Sequence, residues 1–291
     1  AFARDSLDLP LDGSYSSYVE VEGEALVWNV VATGEFSLKP KKWCFPVAGC
    51  VPYRGFFKEQ KARDSAARLS RKGMDVLVSP AAAYSSLGWF SDPLLSTMFT
   101  GSDTRLADYL FHELAHQRLY VKNDGWFNES YASFVAEAGV SAWLAYHQRQ
   151  DELQQWQQLR GVGDDFSALV AKTRTRLAVL YASDKAEALK RQQKADIFSR
   201  FEDEYKQLRA TRWQGKPYYA AWFQQPLNNA SLALYNTYDG GRCAFQGLWD
   251  ESAGDWQKFH RLAEQKSRLA KDQRREWLQQ TCANIAPQAN L

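Results

Sequence analysis

The sequence predicts an α+β fold in which a small mixed sheet with helices precedes a mostly α-helical lobe. Residues 18–22 alternate apolar and polar side chains, and residues 26–31 form an apolar run, both typical of strands. Beyond residue 125, apolar residues recur at helical spacing almost to the end of the chain. We therefore place one lobe at residues 1–125 and a helical lobe at residues 126–291.

The first lobe is predicted to alternate short strands with helices. Residues 1–12 are typical of an arm or the end of a helix, and Gly23 and Gly34 interrupt the strands of residues 18–38. Three further segments follow in order: a loop pinned by three prolines and two cysteines at 39–54, a helix at 55–72 and a buried strand at 74–78. Residues 81–101 combine features of strand and loop.

The second lobe is predicted to be helical, with Asn128 as the N-cap of its first helix. The predicted helices cover residues 129–148, 164–182, 185–211, 227–238 and 254–281. Those at 164–182 and 185–211 present apolar faces that predict an antiparallel hairpin.

Composition limits the classes of function. The 291 residues are enough for a large core, and 45% hydrophobic with 24% charged residues is ordinary for a soluble globular protein. A formal net charge of +2 indicates no attraction to nucleic acids or membrane surfaces. No apolar run approaches the ~20 residues that span a bilayer. Because the chain opens at Ala1 without a methionine, we expect a processed or truncated product.

The strongest motif is Phe111-His-Glu-Leu-Ala-His116, within a predicted helix at 103–120 that Ser102 or Asp103 can cap. His112 and His116 are four residues apart, so one helix face can offer two imidazole nitrogens to a zinc ion. Glu113, about 100° further round the helix, can reach a metal-bound water without being a ligand. The alternative is an ordinary helix with two histidines and an unrelated glutamate.

A catalytic zinc usually has three protein ligands and a water. The metzincin pattern is excluded, because Leu119 and Lys122 occupy the positions where it needs glycine and histidine. Glu129 is favoured as the third ligand, since twelve residues separate it from His116 and a turn of that length can bring a second helix alongside. The remaining candidates are Asp124, Glu137 and His147, with Asp124 the main rival.

The four cysteines are Cys44, Cys50, Cys243 and Cys282. Closeness in sequence favours the pairs Cys44–Cys50 and Cys243–Cys282, and disulfides in turn favour an exported protein. Four buried free thiols in a cytosolic protein are the alternative.

Several strings resemble the bacterial predicted-aminopeptidase family, over residues from about 2 to about 245. They are Trp43-Cys-Phe-Pro-Val-Ala-Gly-Cys50, Tyr53-Arg-Gly55, the segment 83–96, Phe111-His-Glu-Leu-Ala-His116, Phe127-Asn-Glu-Ser130, Leu180-Tyr-Ala-Ser183 and Asn228-Asn-Ala230. The resemblance implies a zincin-like fold and a gluzincin-type zinc metallopeptidase. Asn128-Glu-Ser-Tyr-Ala132 matches the gluzincin form Asn-Glu-x-x-Ala, in which the glutamate is a ligand. Members often carry a lipoprotein-type export signal, which implies a periplasmic location, a lipid tether and oxidised cysteines.

The expected activity is hydrolysis of a peptide substrate with one Zn²⁺ as cofactor. The ligands are His112, His116 and Glu129, with Glu113 as general base. Gluzincins also use a tyrosine or histidine of the helical half to stabilise the oxyanion. We select Tyr238, with Tyr235 as second choice, while His147 and His260 are expected to be surface or structural residues.

Gluzincin aminopeptidases hold the substrate amine with a glutamate upstream of the zinc helix. Residues 86–90 here contain none, and Asp92 is the nearest carboxylate. Either Asp92 or a group of the helical lobe has this role, or the enzyme is not a strict exopeptidase. Gly88, Trp89 and Asp92 are candidate substrate-binding residues on an edge strand that pairs with an extended peptide, or part of an apolar edge strand and packed loop.

Two functions of other classes are the alternatives. One is a zinc-carrying envelope protein that binds peptide or peptidoglycan with little turnover. The other is a helical scaffold without a metal.

Overall fold

The structure, a computed structural model, describes residues 1–11, 13–21, 25–45, 49–81, 92–99, 101–239 and 241–285; the side chains of residues 236–239 and 282–285 lie outside this description. The described residues are 64% helical and include a small sheet, which confirms the predicted α+β class. None of the described helices has both the length and the apolarity to cross a bilayer.

The first part of the chain contains all the described strands. Its helices and strands are α1 (Phe2–Leu7), β1 (Tyr18–Val19), β2 (Val27–Gly34), β3 (Trp43–Phe45), β4 (Gly49–Val51), β5 (Arg54–Phe56), α2 (Glu59–Ser70), β6 (Met74–Ala81), β7 (Leu94–Leu95), a 3-10 turn (Ser96–Phe99) and α3 (Asp103–Arg118).

The later part is helical. It comprises α4 (Gly125–Tyr146), α5 (Gln150–Ala182), α6 (Glu187–Thr211), a 3-10 turn (Ala220–Gln224), α7 (Asn229–Asp239), α8 (Arg242–Ser252), α9 (Trp256–Ser267) and α10 (Lys271–Ile285).

A three-stranded antiparallel sheet with the order β5-β2-β6 forms the main β layer. The central strand β2 is an apolar run whose residues Val30, Val31 and Ala32 are fully buried, in accord with the predicted buried strand. Gly73, with φ +75°, turns the chain from α2 into β6. Glycine accepts this left-handed conformation without steric cost.

The predicted loop at 39–54 contains a hairpin closed by a disulfide. Cys44 and Cys50 lie directly opposite each other on β3 and β4, and their sulfur atoms are bonded, which confirms this predicted pair. Cys243 is also disulfide-bonded. Its predicted partner Cys282 lies outside the described side chains.

The α5–α6 hairpin confirms the predicted antiparallel packing. Leu169 and Leu177 of α5 and Phe201 and Tyr205 of α6 are buried together in one apolar cluster. The first helix is longer than predicted, because it begins at Gln150 instead of residue 164. Its added turns pack on α4, where the indole N–H of Trp156 donates to the backbone carbonyl of Glu137.

Two of the family-like strings join this hairpin to the sheet. Tyr181 donates from its hydroxyl to the amide oxygen of Asn229 at the start of α7. The side chain of Asn229 donates to the carbonyl of Glu35 after β2, and its backbone N–H donates to the Asp75 carboxylate on β6. Lys194 of α6 pairs with the same carboxylate at 2.6 Å. These strings therefore have a structural role.

The C-terminal region differs from the prediction of one helix at 254–281. It forms α9 and α10, and residues 242–252 form a further helix that was not predicted. The break between α9 and α10 is stabilised by Arg274, whose guanidinium donates to the backbone carbonyls of Ser267 and Leu269. Because this contact depends on a side chain in the next helix, the local periodicity did not indicate it.

The largest apolar cluster packs α4 between α3 and the last three helices. At its centre Tyr131 of α4 donates from its hydroxyl to Nδ1 of His260 at 2.7 Å, and Nε2–H of His260 donates to the carbonyl of Leu7 at 2.9 Å. Burial lowers the pKa of this fully buried imidazole to about 4. His260 is therefore a neutral structural residue, as expected.

We predict that His260 makes the protein less stable in acid. Its pKa is lower in the folded state than the ordinary value of 6.5, so the unfolded chain takes up the proton first and stability falls as the pH drops below 6.5. His260 should contribute a loss of about 2 kcal/mol between pH 7 and pH 5. Urea unfolding at both pH values should show this loss reduced in His260→Gln and kept in His147→Gln, where the residue is exposed. Equal losses in all three proteins would contradict the assignment.

Candidate metal centre

Two adjacent helices bring two imidazoles and a carboxylate to one point. His112 and His116 are four residues apart on α3, and α4 packs beside α3. Oε2 of Glu129 on α4 lies 3.3 Å from Nε2 of His112 and 3.6 Å from Nε2 of His116. All three candidate ligand atoms lie within 4.8 Å of one another. The structure thus brings together the three residues that the sequence predicted as ligands.

This geometry suits a metal ion. Bonds of about 2.0–2.1 Å at a tetrahedral centre separate neighbouring ligand atoms by roughly 3.4 Å, close to the separations of Glu129 from both histidines. His116 is buried, and Nδ1 of its ring has no hydrogen-bond partner within the described part of the chain. Two nitrogen donors and one oxygen donor are a ligand set that zinc accepts.

The electrostatics of the cluster favour a bound cation. Burial opposes a charge on His112, but the hydrogen bond to Glu129 and the carboxylates of Glu113 and Asp108 raise its pKa to about 9. Burial also opposes a charge on Glu129, but the two histidines lower its pKa to about 2. Negative charge around the imidazoles thus stabilises a proton, and it would stabilise a metal cation for the same reason.

Asn128 fixes the turn that carries the third carboxylate. The prediction that it caps a helix at 129–148 is wrong, because α4 already begins at Gly125. Its side-chain oxygen instead accepts from the N–H of Val121 at 2.8 Å, and its amide donates to the carbonyl of Val121 at 2.9 Å. This paired contact holds the loop between α3 and α4, and with it the position of the adjacent Glu129.

The other candidates for the third position have different partners. Asp124, almost wholly buried, pairs with the guanidinium of Arg274 at 2.7 Å. Glu137 lies two turns beyond Glu129 on α4 and contacts Arg160 and Arg242. His147 is exposed after the end of α4. The structure thus places only Glu129, of these candidates, in the described cluster with His112 and His116.

Glu113 lies next to His112 on α3 and is half buried. Its charge is among those that raise the pKa of His112. It is not among the three residues whose candidate ligand atoms converge. The predicted role of Glu113 as general base stays a prediction.

The remaining predicted site residues lie elsewhere or outside the description. Gly88 and Trp89 are outside the described residues, as is the side chain of Tyr238. Asp92 is 6% exposed, and its backbone N–H donates to the hydroxyl of Ser14. Tyr235 belongs to the apolar cluster around Phe166, and its hydroxyl lies 2.8 Å from that of Ser167. Their predicted roles stay predictions.

A cavity of about 300 Å³ adjoins the cluster, with His112 in its wall. Asp108, one helical turn before His112, also lines it, as do Glu137, Arg160, Arg242 and Tyr219. Neither Asp108 nor the two arginines were predicted from the sequence. The spacing of four residues between Asp108 and His112 could have indicated Asp108. The arginines lie on α5 and α8, far apart in sequence, and no local pattern marks them.

Two histidines and a glutamate that could hold a metal ion thus lie together, with a cavity lined by one of them. The model of the family described as "Putative aminopeptidase" matches residues 1–278, so the chain belongs to this family. Comparison with the curated proteins and with the solved structures found no match.

We predict that Asp124 is needed for stability. Asp124→Asn should lower the free energy of unfolding by about 3 kcal/mol, because it leaves the buried Arg274 without its counter-charge. The control is Asp103→Asn, which removes an exposed partner of Arg149 and should cost no more than about 1 kcal/mol. Denaturant unfolding measures both changes. Equal, small losses would contradict a structural role for the Asp124–Arg274 pair.

Proposed function

We propose that the protein is a zinc-dependent peptidase of gluzincin type with a zincin-like arrangement of helices. The observation that carries this proposal is the convergence of His112, His116 and Glu129 from two neighbouring helices, with Glu113 adjacent. Membership of the family described as "Putative aminopeptidase" supports peptide bonds as the substrate class. A three-stranded sheet placed before the α3–α4 pair supports the zincin-like comparison.

When bound by these residues, zinc would supply Lewis acidity and lower the pKa of a coordinated water to about 7. Glu113 takes the proton of the attacking water and passes it to the departing amine. Its neighbour His112 and the more deeply buried His116 hold the ligand nitrogens on one helix face. Glu129 is the third ligand. Its position depends on the α3–α4 turn, because the adjacent Asn128 bonds the backbone of Val121.

A hydrogen-bond donor is also needed for the oxyanion that forms on the substrate carbonyl. Tyr238 near the end of α7 is our proposal for this donor, with Tyr235 as the second choice. Asp92, Gly88 and Trp89 are proposed to bind the substrate. Whether cleavage removes single N-terminal residues or occurs within a chain is decided by the cleavage positions in a peptide library.

We also propose a location in the cell envelope, on the periplasmic side, with a lipid tether in the full-length protein. Disulfides persist in oxidising compartments, and Cys44, Cys50 and Cys243 are all disulfide-bonded. A net charge of +2 favours a peptide as the partner over a nucleic acid. The second candidate function, a zinc protein that binds peptide or peptidoglycan without turnover, would show zinc binding and peptide binding but no cleavage.

The first test of the mechanism is Glu113→Gln. This change removes the proposed base but no ligand, so zinc content should be unchanged while the turnover of peptides falls by about 10²- to 10⁴-fold. Asp103→Asn on the same helix, an exposed site away from the ligands, is the control and should keep full activity. Metal analysis and peptide-library digestion with and without chelator give both readouts. Turnover equal to that of the unchanged protein would reject the role of Glu113.

The second test separates the two carboxylates considered as third ligand. Glu129→Gln should weaken zinc binding by at least about 100-fold, since losing even an outer partner of a ligand costs 10- to 100-fold. Asp124→Asn should keep the zinc affinity in the folded protein, because that carboxylate pairs with Arg274. Competition with a fluorescent zinc chelator measures both affinities. A loss of affinity in Asp124→Asn alone would overturn the assignment of Glu129.

A further inference from the structure

The cavity lined by His112 is also lined by several charged side chains. Arg160 of α5 and Arg242 of α8 both line it, together with Glu137 of α4. The side chain of Arg160 is 28% exposed and that of Arg242 is 15% exposed. Two arginine side chains removed this far from water need anionic partners, because a buried charge without a counter-charge is costly.

Glu137 is shared between these two arginines. One of its carboxylate oxygens contacts Nε of Arg160, and the other contacts a terminal nitrogen of Arg242. Arg242 also contacts Asp164, but the side chain of this second acidic residue is 64% exposed. A single well-buried carboxylate therefore serves two guanidinium groups.

Arg160 retains unused donors. Its Nε faces Glu137, and its two terminal nitrogens have no hydrogen-bond acceptor within the described part of the chain. An arginine fork can donate two parallel hydrogen bonds to one carboxylate, and such bidentate pairs are among the stronger polar contacts. Burial, followed by the nearby charge of Arg242, lowers the pKa of Arg160, and the charge of Asp164 opposes this shift.

We propose that this cavity binds a carboxylate of the peptide substrate, with Arg160 as the main contact and Arg242 beside it. The proposal rests on the proposed peptidase function and adds the substrate class: peptides with a free carboxylate near the scissile bond. Because His112 lines the same cavity, a group bound by the arginines lies close to the metal centre. Glu137 contacts both arginines and thereby fixes their positions.

Two parts of a peptide can supply that carboxylate. One is the side chain of an acidic residue next to the scissile bond, and the other is the free C-terminus of a short peptide. The cavity volume of about 300 Å³ is at the small end for ligand sites and suits one or two residues of substrate. Both sources present the same planar group to the arginine fork.

The experiment compares matched peptides that differ in a single carboxylate. Glu-Ala-Ala-amide against Gln-Ala-Ala-amide tests the acidic side chain, and Ala-Ala against Ala-Ala-amide tests the C-terminus. We expect kcat/KM to favour the acid member of at least one pair by about 10- to 100-fold. Arg160→Gln should reduce that ratio towards one. Arg176→Gln should leave it unchanged, since Arg176 is similarly buried but pairs with Glu204 in the hairpin.

The same peptides are also tested for binding alone, by calorimetry with the zinc-loaded Glu113→Gln protein. If the Glu113→Gln protein binds an acid peptide more tightly than its amide or glutamine partner, and if adding Arg160→Gln removes this difference, the carboxylate site is supported. This holds even if the unchanged protein cleaves nothing and the proposed peptidase function fails. Cleavage of all four peptides with no preference for either acid member would overturn the carboxylate site while leaving the peptidase function intact. Thermal unfolding shows whether each variant is folded. The comparison of the peptide pairs is also made with the unchanged protein, where folding is not in question.

Discussion

The packing of α4 against α3 is the constraint on which the candidate site depends. The two histidines are fixed by the geometry of one helix, but the third carboxylate comes from the next helix and must be delivered by the turn between them. Asn128 does this by bonding both polar groups of the Val121 backbone. The α3–α4 turn therefore belongs to the site as much as the ligands do, because a shift of the turn would move Glu129 away from His112 and His116.

The acidic residues of this region fall into two groups, according to whether their charged neighbours are arginines or histidines. Asp124 has a buried arginine partner, and its pairing with Arg274 also stabilises the break between α9 and α10. Glu129 and Glu113 act on the histidine cluster, where their charges stabilise a cation. Arg160 is the opposite case, a partly buried cation that shares the carboxylate of Glu137 with Arg242, and this is the physical basis of the proposed carboxylate site.

Much of the fold followed from local patterns. The predicted strand at 26–31, the helical hairpin and the Cys44–Cys50 bridge all appear in the structure. The departures share a feature: near the start of α4, the early turns of α5 and the break after α9, a side chain bonds backbone groups outside its own helix. Asn128, Trp156 and Arg274 make those contacts, and their side-chain types alone do not indicate which backbone groups they will bind.

The sequence by itself determined the helical spacing of His112 and His116, the position of Glu113 beside them and the choice of Glu129 as a further candidate ligand. These follow from the repeat of the α-helix and from the length of one connection, which are local properties. Only the tertiary structure decided that Asp124 is held by Arg274 and that Arg160 and Arg242 share a cavity wall with His112. Such contacts join residues more than 45 positions apart, and side-chain packing across helices, rather than chain periodicity, determines them.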